Sequence, residues 1–184
     1  VVDTQIVKAP SRHRSPTEPP HPNSVQAAIQ QTRPFASQQQ EAFVGLLLAA
    51  EAVRWPVLDL LSGHDELTMQ QYNVLRILRG AEPTGLPTLE IAGRMIERTP
   101  GVTRLIDRLE RKDLVQRIRG TQDRRQVICR ITAHGLELLR KLDRPVERIE
   151  SAVFAALDGS QLEVLLDLLN RVRLHNRPLP GAAS

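Results

Sequence analysis

The run from Val102 to Arg111 limits this chain more than any other feature: Val102, Leu105, Ile106 and Leu109 recur at i, i+3, i+4 and i+7. That is the period of a helix with one apolar stripe. Thr103, Arg104, Arg108 and Arg111 fall on its other faces. Thr99-Pro100 reads as an N-cap followed by proline at the first helical position, so a helix is expected over 99–112. Two short strand-like runs follow, Val115–Arg119 and Gln126–Ile131, joined by a polar, basic tip. In the second, Val127, Cys129 and Ile131 alternate onto one face. The chain must therefore fold around a basic helix followed by a hairpin.

Charge is concentrated in the same place. The 184 residues hold 25 Lys and Arg against 21 Asp and Glu, a net +4. Between Arg98 and Arg125, nine basic residues meet four acids, so this segment carries +5 and the remainder −1. Such a cluster on an otherwise balanced protein is the footprint of a polyanion-binding surface. Asp107 and Glu110, set among the arginines, read as intrahelical salt-bridge partners.

Upstream, residues 1–34 hold six prolines and few large apolar side chains, and read as an extended arm. A helix is expected from Gln38 to about Leu61, carrying Phe43, Val44, Leu47, Leu48, Trp55 and Leu58, with a kink at Pro56. Thr68 and Gln71 form a capping box that opens a second helix bearing Tyr72, Leu75 and Leu78, ending near Gly80. Pro83, Gly85 and Pro87 mark a loop. Thr88 caps a short helix bearing Leu89, Ala92 and Ile96. Downstream, Thr132 caps a long helix to about Leu157, bent at Pro145. Ser160 and Glu163 form a second capping box for a last helix with Leu162, Leu165, Leu166, Leu169 and Val172.

Helix, helix, short helix, turn, basic amphipathic helix and hairpin make a winged helix-turn-helix. The fold class is mainly α with a small β-hairpin wing, plus a helical dimerisation region. A helix fits the major groove of duplex DNA, and its exposed N-terminal residues reach base edges. Arg98, Thr99, Thr103, Arg104 and Arg108 are the candidates there. On the tip, Asp123, Arg124 and Arg125 suit a minor-groove probe, with Asp123 aiming a neighbouring guanidinium.

The chain resembles the MarR (multiple antibiotic resistance regulator) family of transcription factors. The resemblance rests on Leu67-Thr68-Met69-Gln70-Gln71-Tyr72-Asn73-Val74-Leu75, Thr103-Arg104-Leu105-Ile106-Asp107-Arg108-Leu109-Glu110-Arg111, Asp123-Arg124-Arg125 and Ile131-Thr132-Ala133-His134-Gly135. It implies a homodimer on a pseudo-palindromic double-stranded DNA operator, with Arg125 in the minor groove, and repression as the commoner mode. The expected divisions are an arm at 1–34, helical dimerisation segments at 35–66 and 132–176, a DNA-binding domain at 67–131 and a tail at 177–184. A small aromatic or phenolic effector would then sit near Arg54, Trp55, His64, Met69 and Tyr72. Apolar side chains on the first and last helices, more than a lone winged helix could cover, independently favour a dimer.

Other classes fit less well. Five scattered histidines show no metal or catalytic spacing, and one cysteine excludes an internal disulfide or a multi-Cys metal site, so neither enzyme activity, metal nor cofactor is expected. Cys129 reads as an inert buried thiol. No apolar run approaches the roughly 18 residues of a membrane span, and the first thirty residues lack a secretory apolar core, so a cytoplasmic protein is expected. The alternative is a winged helix used only for protein–protein contact, which would need no basic cluster on both helix and wing.

Overall fold

A computed structural model describes residues 21, 24–64, 66–97, 101–120 and 126–176. The chain divides after Ala52 into two compact units. In the first, Val25–Ala28 (α1) forms one helical turn capped by the Ser24 hydroxyl, inside the stretch expected to be extended. The Val25 side chain lies against Gly45, where a larger residue would be crowded. Gly45 belongs to α2, Gln38–Ser62, which continues through Pro56 into the second unit.

The second unit holds α3 (Met69–Arg79), β1 (Leu86–Pro87), α4 (Thr88–Arg94), α5 (Val102–Arg111), β2 (Val115–Arg119), β3 (Val127–Ile131), α6 (Ala133–Val153) and α7 (Gly159–His175). Thr68 and Gln71 close the expected capping box, each side chain bonding the other's backbone N–H. Thr132 caps α6 by accepting from Gly135 N. Val102, Leu105, Ile106 and Leu109 are all buried, so the phase read for α5 holds. They join Leu75, Leu78, Ile91, Leu114, Leu139 and Leu142 in one core. Burying each such side chain contributes about 1.5–3 kcal/mol, which is what holds these short helices in place.

Several local expectations are corrected. Helix α4 starts at Thr88 with Pro87 as its N-cap, and no side chain caps it. Of the three apolar residues named on this helix, Ala92 is partly buried against the core, but Leu89 is 86% exposed and Ile96, just past the helix, 87%, while Ile91 and Met95 fill the core. Seven residues make under two turns, too few to fix a phase from pattern alone. Helix α5 starts at Val102 behind Gly101, whose φ of 94° suits glycine. Thr99 and Pro100 lie outside the described residues. Helix α6 ends at Val153, short of Leu157. The capping box of α7 is Asp158 with Gln161, two residues before the expected pair. The carboxylate accepts from the Gln161 N–H and from the Ser160 hydroxyl, an anion at a helix N-terminus.

The hairpin is present, with Val115 opposite Ile131 and Arg119 opposite Val127. Val127 is exposed rather than sharing the buried face of Cys129 and Ile131. A third strand, β1, lies in the segment read as a loop, pairing Leu86 with Cys129 to give the order β1-β3-β2. Gly85 makes this possible: it adopts φ 72°, and a β-carbon there would collide with the carbonyl oxygen of Cys129. The wing is thus anchored along one edge by the segment that leads into α4.

Candidate nucleic-acid interface

Helix α5 turns its apolar stripe to the core and leaves Thr103, Arg104, Arg108 and Arg111 exposed. Its ten residues span about 15 Å, a length that lies within a major groove. Among the described residues, neither Arg104 nor Arg108 takes part in an ion pair. Both guanidinium groups are therefore available to phosphate or to guanine.

The two acids of this helix are handled by the wing. Asp107 and Glu110, expected to pair within the helix, are bonded instead to Arg117 on β2. Its Nη2 donates to Asp107 Oδ1 and its Nη1 to Glu110 Oε2, both at 2.5 Å. Nη2 also reaches the Thr103 carbonyl at 3.3 Å, and the Arg117 backbone N–H donates to Glu110 Oε1 at 3.2 Å. The side chain is only 24% exposed. Burial alone would lower the Arg117 pKa, but the two carboxylates outweigh it and the pKa is raised. Arg117 is thus a structural tie rather than a free cation, and its charge offsets acids that would otherwise repel phosphate.

Beside the turn between α4 and α5 is a cavity of about 180 Å³, walled by Met69, Met95 and Ile96. Arg54 Nη1 lies 3.1 Å from Glu97 Oε1 at its edge, and Gln70 Nε2 donates to Glu97 Oε2 at 3.1 Å. Asn73 Oδ1 accepts from the Ile96 backbone N–H at 3.1 Å. A separate polar hollow of about 270 Å³ lies beside Tyr72, Arg79 and Asp143. There Arg79 holds both Asp143 oxygens, and the Arg76 guanidinium sits 5.8 Å from the Tyr72 ring centre. Among the described residues no group of three or more His, Cys, Asp or Glu is placed to hold a metal.

Known proteins share this fold. The sequence model of the MarR family matches residues 67–127. The solved structure of a MarR transcription factor from Planctomyces limnophilus is 36% identical, covering 74% of this chain and 98% of that one, with a TM-score of 0.55. The chain belongs to the MarR family. Its fold is the family's winged helix-turn-helix, and it is a DNA-binding transcriptional regulator. The Homoprotocatechuate degradative operon repressor of Escherichia coli is 28% identical over 68% of this chain and 83% of its own length. The PcaV transcriptional regulator of Streptomyces coelicolor, solved in complex with its natural ligand, is 30% identical over 67% of this chain and 87% of that one, with a TM-score of 0.56.

Against this MarR frame, Thr103, Arg104 and Arg108 stand together on the exposed side of α5. Arg98, Thr99, Asp123, Arg124 and Arg125 lie outside the described residues. Of the five residues expected around an effector, Arg54 and Met69 line one cavity. Trp55 is 65% exposed, His64 Nδ1 bonds the Leu60 carbonyl at 2.9 Å, and Tyr72 borders the other hollow. Sequence reasoning missed Gln70, Asn73, Met95 and Glu97.

No helix among the described residues is long and apolar enough to cross a membrane.

Proposed function

We propose that this MarR-family chain is a homodimeric repressor that lays α5 in the major groove of a pseudo-palindromic operator. Thr103, Arg104 and Arg108 face the bases and phosphates, with Arg98 and Thr99 at the entry to the helix. The wing tip, Asp123-Arg124-Arg125, enters the adjacent minor groove, and Arg125 is the residue that reaches deepest. The observation that carries this reading is the exposed arginine face of α5, whose own two acids are both held, and partly offset, by Arg117 of the wing. The chain acts by binding rather than catalysis, in the cytoplasm.

The dimer is supported by α7, which has no buried residue, and on which Val164, Leu166, Leu168, Val172 and Leu174 are exposed. In the first unit, Phe43, Leu46 and Leu47 of α2 are exposed as well. Apolar surface of this extent calls for a partner, and a second copy supplies it with two-fold symmetry. Symmetry then places the two recognition helices about 34–36 Å apart, one turn of duplex. Release by a small aromatic ligand extends the reading, since the homologous PcaV regulator was solved with its natural ligand.

The test is fluorescence anisotropy with duplex DNA from beside the protein's own gene, across a salt series. Binding that weakens steeply as salt rises supports the proposal. Absence of binding at low salt overturns it in favour of a protein–protein module.

A further inference from the structure

We propose that the hollow between α3 and α6 binds a free amino acid, gripped by its ammonium and carboxylate groups. The hollow, of about 270 Å³, shares no lining residue with the cavity edged by Arg54. It is a little below the roughly 300–1,000 Å³ of pockets for drug-sized molecules, so its occupant is small. The walls carry charge of both signs, in two groups. Arg79 of α3 and Asp143 of α6 satisfy each other, since Nη1 donates to both carboxylate oxygens, at 2.8 and 2.9 Å. Arg76 of α3, and Glu147 and Glu150 of α6, line the same hollow and are in no ion pair among the described residues. Arg76 instead lies 5.8 Å from the centre of the Tyr72 ring. Tyr72 is only 5% exposed, yet among the described residues its hydroxyl makes no hydrogen bond. A buried polar group without a partner is a cost that an occupant can remove. Burial raises the Tyr72 pKa, so the hydroxyl stays protonated and can donate.

These four groups specify the occupant. Glu147 and Glu150 stand three residues apart on one helix, which puts their β-carbons about 5–6 Å apart, so both carboxylates can converge on one ammonium. Arg76, on the facing helix, matches a carboxylate, and the Tyr72 hydroxyl can donate to it. A carboxylate alone would meet two glutamates. An amine alone would set a second cation beside Arg76. A molecule bearing both charges answers all four groups. Arg76, Glu147 and Glu150 are exposed, so the hollow opens to solvent and the ligand's own side chain need not be enclosed. Recognition then rests on the two charges that every free amino acid carries. Bound there, the ligand ties α3 to α6 beside the Arg79–Asp143 pair and stabilises the folded chain as its concentration rises.

The site stands whether or not α5 lies on DNA, and its test uses the full chain alone. Calorimetry compares L-glutamine with two analogues that each keep one charge: L-glutaminamide has only the ammonium, and N-acetyl-L-glutamine only the carboxylate. L-Glutamine is expected to bind and to raise the melting temperature. Each analogue is expected to bind at least about tenfold more weakly, since each lacks one charge-assisted contact. No binding of L-glutamine at millimolar concentration overturns the site. An analogue that binds as tightly as L-glutamine overturns the assignment to amino acids.

Two variants locate the contacts. Arg76→Gln and Glu150→Gln each replace an exposed side chain, so neither disturbs the core. Each is expected to bind L-glutamine about tenfold more weakly than the wild type. The pattern across probes guards against reading a misfolded variant as support. Arg76→Gln is expected to narrow the gap between L-glutamine and L-glutaminamide, and Glu150→Gln the gap between L-glutamine and N-acetyl-L-glutamine. Wild-type affinity for L-glutamine in both variants, or a loss that leaves both gaps unchanged, overturns the placement of the ligand in this hollow.

Discussion

Arg117 of β2 donates to the Asp107 carboxylate of α5, so the wing and the recognition helix are joined by one side chain. The same guanidinium holds Glu110 one turn further on. Arg117→Met, which keeps most of the apolar stem, leaves both acids without this partner. Because Asp107 and Glu110 are partly exposed, the loss of stability is expected to be modest, about 1–2 kcal/mol, read from the urea midpoint. DNA affinity is expected to fall more than stability does, since two uncompensated carboxylates then face the phosphates. A variant with wild-type DNA affinity would show that the tie plays no part in binding.

Arg108 is exposed, so replacing it tests the interface without touching the core. Arg108→Ala is expected to leave the melting temperature unchanged and to weaken duplex binding by about 1–3 kcal/mol. If its partner is a phosphate, the salt dependence also drops by about one unit of slope. Arg125→Ala is expected to weaken binding by a similar amount, as a minor-groove contact. Anisotropy titrations at several salt concentrations check both.

Leu168 lies exposed on α7. A charge there costs a lone chain little and an apolar interface a great deal. Leu168→Glu is expected to shift the protein from dimer to monomer in light scattering while the helical circular dichroism of the fold is retained. An unchanged mass would place the dimer contact elsewhere.

Burial raises the pKa of the Cys129 thiol, and the Thr88 hydroxyl, 3.8 Å from Sγ, only partly offsets it. The thiol therefore ionises at higher pH in the folded chain than in the unfolded one. Its contribution to stability is complete below the ordinary thiol pKa of about 8.5 and is lost as pH rises towards the folded value. Burial acts on Tyr72 in the same direction, at still higher pH. The urea midpoint of the wild type is expected to fall on going from about pH 8 to about pH 10, and Cys129→Ala is expected to fall less. Identical slopes would count against a buried, late-ionising thiol.

The parts of the fold visible in the sequence are those set by local pattern. Four apolar residues at helical spacing gave the phase of α5, and Thr68 with Gln71 marked the start of α3. What was hidden depends on contacts between distant segments. Nothing near Asp107 says that its partner is ten residues away on a strand. Strand β1 is two residues long and includes a proline, which reads as loop until Gly85 brings the backbone against Cys129. At α7, Asp158–Gln161 and Ser160–Glu163 have the same spacing, and a local rule cannot choose between them. The cavity residues Gln70 and Glu97 are 27 positions apart and meet only in the folded chain.

Helix α7 contributes no fully buried side chain to its own chain. If association supplies that missing cover, stability is governed by mass action, and the melting temperature climbs with protein concentration. A cell that makes little of this regulator would then hold it as separated, degradable chains, so dosage itself tunes how long the protein survives.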